Sequence, residues 1–210
     1  MASRRQLKLE EHDDRPVGDH YVHLRGTFDD YEALLRIRGE SAVPRVTYLE
    51  GVIEIMTPSI DHEELKSTIG RLVEVYCLHA RIRFRTSGSW TLKDRKLERG
   101  VEPDECYVFG EERRERPDLA IEVIWTSGGL AKLEVYRKLG VRELWTWRRG
   151  RIRIDGLVKD RYVELERSAV LPGLDLLDQV RADLGLEALV DRLGLLAERR
   201  GVRLGHPNAL

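Results

Sequence analysis

Two Pro-Asp steps carry acids into apolar, strand-like runs. Pro103-Asp104 precedes Cys106, Tyr107 and Val108, and Pro117-Asp118 precedes Leu119, Ala120, Ile121, Glu122 and Val123. Gly110 and a burst of charge over 111–116 separate the two runs, so the segment reads as an antiparallel hairpin. With its turn centred near Arg113, Asp104 stands opposite Glu122. Directly paired residues on one face of a hairpin have Cβ atoms about 4.5–5.5 Å apart. Two carboxylates that close repel one another. A divalent cation that prefers oxygen ligands would relieve the repulsion, with Asp104 and Glu122 as its ligands.

Side chains alternate along a strand, so Asp118, Ala120, Glu122 and Ile124 share one face, and Leu119, Ile121 and Val123 the other. A Glu amid Ala, Ile and Val is the least surface-like acid of the chain, because a buried carboxylate is costly unless it is paired or bound to metal. Solvent exposure or an Arg partner is the competing account of Glu122. Asp118 is a secondary candidate. It lies four residues before Glu122, about 13 Å at strand rise, too far for both to bind one ion. Capping of the strand entrance or the turn suits it better.

Lys132 follows Glu122 by ten residues, on an expected helix that could fold back over the sheet. An ammonium there would orient a water and stabilise negative charge developing on a phosphate. A lysine on a helix surface is ordinarily just solvated, and Lys138 of the same helix is the comparison. His62 projects into the middle of the stripe made by Leu65, Ile69, Leu72 and Tyr76, hence inward and towards the site. A hydrogen-bonded core histidine explains it equally well.

Other chemistries lack their motifs. The chain has no GxSxG, no P-loop, no HExxH and no GxGxxG in a nucleotide-binding context. Its two cysteines, Cys77 and Cys106, sit in apolar runs without zinc spacing, as expected of buried thiols in a reducing cytoplasm. At 210 residues and a net charge of −1, the composition does not itself announce a nucleic-acid partner. Local clusters, Arg81/Arg83/Arg85, Lys93/Arg95/Lys96 and Arg148/Arg149/Arg151/Arg153, are either basic footprints or charged edges of solvent-facing strands. Neither a signal peptide nor a membrane span is expected.

The elements that must position these residues follow from periodicity and caps. Residues 1–26 form a polar N-terminal extension, within which 21–24 could add an edge strand. Thr27 resembles an N-cap, with Asp30 three residues on, for a helix ending near Gly39. Glu50-Gly51 joins strands 45–49 and 52–56 as a hairpin, making Glu50 turn chemistry. Ser59 or Asp61 caps a helix over 63–80. Strand 81–90, a polar loop over 93–100, the Pro-Asp hairpin (101–109 and 117–125), a break at 126–129, a helix over 130–139 stopped by Gly140, and three meander strands (141–147, 151–157, 162–165) follow. A C-terminal segment, 181–210, belongs with an apolar helix over 180–200. It would pack on the domain body, and its stripe leaves a homodimer open. The order suits an α/β class, an α+β mixed sheet with flanking helices.

Taken together, Tyr48-Leu49-Glu50-Gly51, Met56-Thr57-Pro58-Ser59, His62, Pro103-Asp104, Pro117-Asp118-Leu119-Ala120-Ile121-Glu122-Val123 and Lys132-x3-Tyr136-x3-Gly140-Val141-x-Glu143-x-Trp145 form a pattern. It resembles the Uma-two family of bacterial endonucleases, a branch of the PD-(D/E)xK superfamily. The resemblance implies a restriction-endonuclease-like αβββαβ core within residues 27–180 and Mg²⁺-dependent cleavage of DNA. Asp104 would then be the motif aspartate and Glu122 the acid of the (D/E)xK element. Ile124 occupies the usual lysine position, and Lys132 on the following helix would take over that role. His62 matches a recurrent histidine of the family. A module that keeps the fold and binds nucleic acid or protein without cutting is the rival reading.

Overall fold

The computed structural model describes residues 18–87, 90–112, 114–124 and 129–174. Its elements are β1 (His20–Arg25), α1 (Phe28–Arg38), β2 (Arg45–Leu49), β3 (Val52–Thr57), α2 (Ile60–His79), β4 (Phe84–Thr86), β5 (Leu92–Asp94), β6 (Arg99–Val101), β7 (Glu105–Phe109), β8 (Leu119–Val123), α3 (Lys132–Leu139), β9 (Glu143–Arg148), β10 (Arg151–Val158) and β11 (Arg161–Leu165). The strands form two sheets, β11-β10-β9-β8-β7-β4 and β1-β3-β2-β6-β5. Every neighbouring pair is antiparallel except β8 and β9, which α3 connects as a crossover. The run α2, β4, β7, β8, α3, β9 has the helix–three strands–helix–strand order expected of a restriction-endonuclease-like core.

Local chemistry accounts for most boundaries. Thr27 and Asp30 form a capping box on α1. The Ser59 side chain accepts the His62 amide at 3.2 Å and starts α2. Glu50 and Gly51, both at positive φ, close the β2–β3 turn. Gly140, in the left-handed region, ends α3.

Leu119, Ile121 and Val123 of β8 pack with Leu65, Ile69, Leu72, Val73 and Cys77 of α2. Ala120, on the opposite face, meets Val135, Tyr136 and Leu139 of α3 together with Leu92 and Val101. Val46 and Tyr48 of β2 and Ile53 of β3 pack with Phe28 and Tyr31 of α1. Strand alternation therefore turns Arg45 and Thr47 away from α1. Glu54, the cross-strand partner of Thr47, lies on that same inward face.

Two expectations need correction. The strand expected over 81–90 is only Phe84–Thr86, because Arg81 takes a positive φ and the Ile82 amide donates to the Cys77 carbonyl, closing off α2. The polar loop expected over 93–100 is the β5–β6 hairpin. Asp94 accepts the Lys96 and Leu97 amides at 2.9 and 3.1 Å, which builds the turn inside a charged sequence. The expected helix over 180–200, the hairpin tip at Arg113 and residues 125–128 lie outside the described residues. Both cysteines are buried free thiols. No described helix is long and apolar enough to cross a membrane.

Gly100 lets the Tyr31 ring lie against the β6 backbone, where a Cβ would overlap it. Gly100→Ala is expected to destabilise the protein by about 1–3 kcal/mol, the usual cost of overpacking, read as a lower urea midpoint with an unchanged slope.

Candidate active site

The β7–β8 register pairs Glu105 with Ile121, Cys106 with Ala120 and Tyr107 with Leu119. One step further, the same register sets Asp104 opposite Glu122, the pairing expected from the turn near Arg113. Asp104 Oδ2 accepts the Val123 amide at 2.7 Å, which ties the acid to the neighbouring strand. Asp104 is 0% and Glu122 2% exposed. Cations drawn from three other elements surround the pair.

Arg45 of β2 places Nη1 3.1 Å from Asp104 Oδ1, and His62 of α2 places Nε2 3.1 Å from Asp104 Oδ2. Neither contact has the angles of a hydrogen bond, which leaves Asp104 Oδ1 buried without one. The other imidazole nitrogen of His62, Nδ1, lies 2.9 Å from Asp19 Oδ2. On the Glu122 side, Lys132 Nζ donates to Oε2 at 2.7 Å, and the Tyr136 hydroxyl makes a very short hydrogen bond to Oε1. Lys132 and Tyr136 are one helical turn apart, so α3 presents both to one carboxylate.

Burial opposes charge on Asp104, but Arg45, His62 and Lys132 outweigh it and hold the carboxyl well below the usual carboxylate range. Burial dominates at Glu122 and, with the charge of Asp104, pushes its carboxyl up against the pull of Lys132 and Tyr136. Lys132 is raised: Glu122 and Asp104 overcome the burial that would discharge it. Burial alone would lower His62, yet its contacts with Asp104 and Asp19 raise it to about 9. Burial pushes the thiols up to about 11 for Cys77 and about 12 for Cys106, so neither offers a thiolate at neutral pH.

The structure thus brings Asp104, Glu122, Lys132 and His62 together. Asp118 is elsewhere, at the hairpin turn. It accepts the Phe109 amide at 2.9 Å and pairs with Arg114 and Arg142 at 2.6 and 2.9 Å. Lys138 stays on the outer side of α3, 3.7 Å from Asp160.

Arg45, Asp19 and Glu54 join the site without having been singled out from the sequence, and Tyr136, part of the family pattern, joins it with a role that the pattern did not assign. Tyr136 was findable from its i+4 spacing to Lys132. Glu54 was findable by the rule that flags Glu122, since it is a lone acid in the apolar run Val52-Ile53-Glu54-Ile55-Met56. Asp19 carries no such signal.

The residues able to hold a cation are Asp104 and Glu122. Both are hard oxygen donors, and Asp104 Oδ1 lacks a hydrogen bond. Two carboxylates suit Mg²⁺, which keeps several waters and takes few protein ligands. No group of three or more His, Cys, Asp or Glu among the described residues is arranged to hold a metal.

Residues 28–190 match the family model Uma2, described as a putative restriction endonuclease. No curated protein matches the chain.

The raised pKa of His62 sets a pH window. Its contribution to stability is complete below its unfolded value of about 6.5 and is lost as pH rises through about 9. In EDTA, unfolding free energy is expected to fall across that window by up to about 3 kcal/mol. His62→Asn should be less stable at pH 6 and should flatten this slope in urea titrations.

Proposed function

The chain belongs to the Uma2 family, and on that premise we propose that it is a Mg²⁺-dependent endonuclease hydrolysing DNA phosphodiester bonds at Asp104 and Glu122, with Lys132 assisting water attack. The observation that carries this reading is Lys132 Nζ lying 2.7 Å from a buried Glu122 whose register partner is Asp104. That is a lysine and two acids at one point, supplied by three separate elements.

Asp104 and Glu122 would hold the ion. When bound, Mg²⁺ or Mn²⁺ supplies charge neutralisation at the phosphate and a more acidic water. The chain's own residues do the rest. Lys132 stays protonated and aims its ammonium at the place where negative charge grows on the phosphate oxygens. The Tyr136 hydroxyl fixes the rotamer of Glu122, and Arg45 and His62 fix that of Asp104. With both acids immobile, the geometry is in place before substrate arrives. Basic side chains along the strands would grip the backbone without reading sequence.

One observation favours the rival reading, a non-catalytic nucleic-acid or protein-binding module. Both acids are already compensated by the chain's own cations, as in a structural ion-pair cluster.

Cleavage of plasmid and of linear single- and double-stranded DNA in Mg²⁺, Mn²⁺ and EDTA separates the two. We expect metal-dependent cutting that Glu122→Gln abolishes in protein whose circular dichroism shows it still folded at the assay temperature, although loss of the buried pair with Lys132 lowers its melting temperature. Lys132→Met should lower kcat by about 10²–10³. Cutting that persists in EDTA or in Glu122→Gln defeats the nuclease assignment to these residues. DNA binding with no cutting in either metal, and no metal-dependent shift in melting, selects the binding module.

A further inference from the structure

The start of α3 lacks a local anchor. Its N-cap residue is Ala131, with no side-chain hydrogen bond to the helix. Yet Lys132 is the first residue of that helix, and its ammonium must be held over Glu122. The missing hold comes from the other sheet. Glu54 of β3, 1% exposed, accepts the Leu130 amide at 2.6 Å through Oε2. A carboxylate at a helix N-terminus also complements the helix dipole.

Glu54 is itself braced. His23, its cross-strand partner on β1, places Nε2 3.0 Å from the same Oε2. The His23 side chain is 40% exposed at the rim, and its ring stacks with Tyr21. Gly129 lies so close that a Cβ there would come within 3.2 Å of Glu54 Oε2. The second oxygen, Oε1, is buried and has no hydrogen-bond partner. A buried acid with one oxygen unsatisfied costs stability and would be disfavoured in a purely structural role.

From this we infer that Glu54 is a positioning residue of the active site: by holding the Leu130 amide at the start of α3, it fixes the Lys132 ammonium over Glu122. The inference rests on the nuclease reading for its catalytic meaning, but not for the contact itself. It explains how a lysine displaced from its usual strand position onto a helix keeps a defined place. It also gives the inward face of the second sheet two tasks, since Arg45 holds Asp104 and Glu54 holds the approach to Lys132.

The test reads Lys132 directly. Metal-free protein in EDTA is acetylated with a water-soluble N-hydroxysuccinimide ester, and labelling of Lys132 is measured by mass spectrometry against Lys138 of the same helix. In the unmutated protein Lys132 should label far more slowly than Lys138. Glu54→Leu fills the same space and removes the oxygen that accepts the Leu130 amide, whereas Glu54→Gln keeps one. Glu54→Leu should raise the Lys132 rate severalfold by releasing the ammonium from Glu122 to the reagent, and Glu54→Gln should restore slow labelling. Gly129→Val crowds the same carboxylate from an exposed position, and it carries the test if Glu54→Leu does not fold. Lys132 labelling unchanged in every variant that folds overturns the proposal. In Mg²⁺-dependent cleavage, Glu54→Leu should lower kcat about 10–100-fold with KM unchanged, and Glu54→Gln should recover most of it. Should the unmutated protein cut no DNA, the nuclease reading fails while the labelling still decides the role of Glu54.

Discussion

Two carboxylates set side by side out of water are a liability that a fold must answer. Continuing the β7–β8 register by one step sets Asp104 opposite Glu122, and both are buried. Leaving either acid unpaired there would cost several kcal/mol, on the order of 3–5 for a broken buried pair. The surrounding architecture is intelligible as the response. β2 sends Arg45, the first turn of α2 sends His62, and α3 sends Lys132 and Tyr136. The four arrive from three elements, none of them part of the hairpin.

That requirement also explains the second sheet. Its outer face is an ordinary apolar surface, with Val46, Tyr48 and Ile53 packed under α1. Its inner face carries Arg45, Thr47 and Glu54, all buried polar groups of a kind that a sheet built only for packing would avoid. The β5–β6 hairpin ties this sheet to the core, with Leu92 and Val101 joining α3 and Ala120 in one cluster. Packing and charge compensation are thus supplied by opposite faces of the same strands. Displacing α1 or opening β6 would move Arg45 as surely as would a change at the site.

Much of this was legible in the residue order, for a definable reason. Where one physical rule dominates locally, the reading holds. The Thr27 capping box, the Glu50-Gly51 turn, the Gly140 stop and the Asp104–Glu122 register all follow from a few adjacent residues. The hairpin over 93–100 reads as a loop because, beyond the Asp94 turn, what holds it is not local. Gly100 packs beneath Tyr31, and Arg99 is neutralised by Glu50, neither of which is visible in a run of charged residues. The site shows the same division. Glu122 stands out as an acid in an apolar strand, and Glu54 carries the same signal without an acid opposite it, its cross-strand partners being Thr47 and His23. Asp19, which completes the pairing of His62, sits in a polar segment where nothing marks an acid as buried.

The position of the lysine shows how chemistry and architecture constrain each other. A lysine two residues after Glu122 would share its strand face, with its origin fixed by the sheet. Here that position is Ile124, and the ammonium comes from the first residue of α3, where a helix with no side-chain cap is least secure. Moving the cation from strand to helix therefore moves the problem from side-chain identity to backbone placement. The amide of Leu130 must be held, and only a group outside the helix can hold it. Glu54, from the opposite sheet, has both the reach and the charge to do so. Because Glu54 leans on His23 and is crowded by Gly129, the requirement spreads to an edge strand and to a single glycine. A substitution at Gly129, on a different segment from Glu54, is thereby coupled to the ammonium at Glu122.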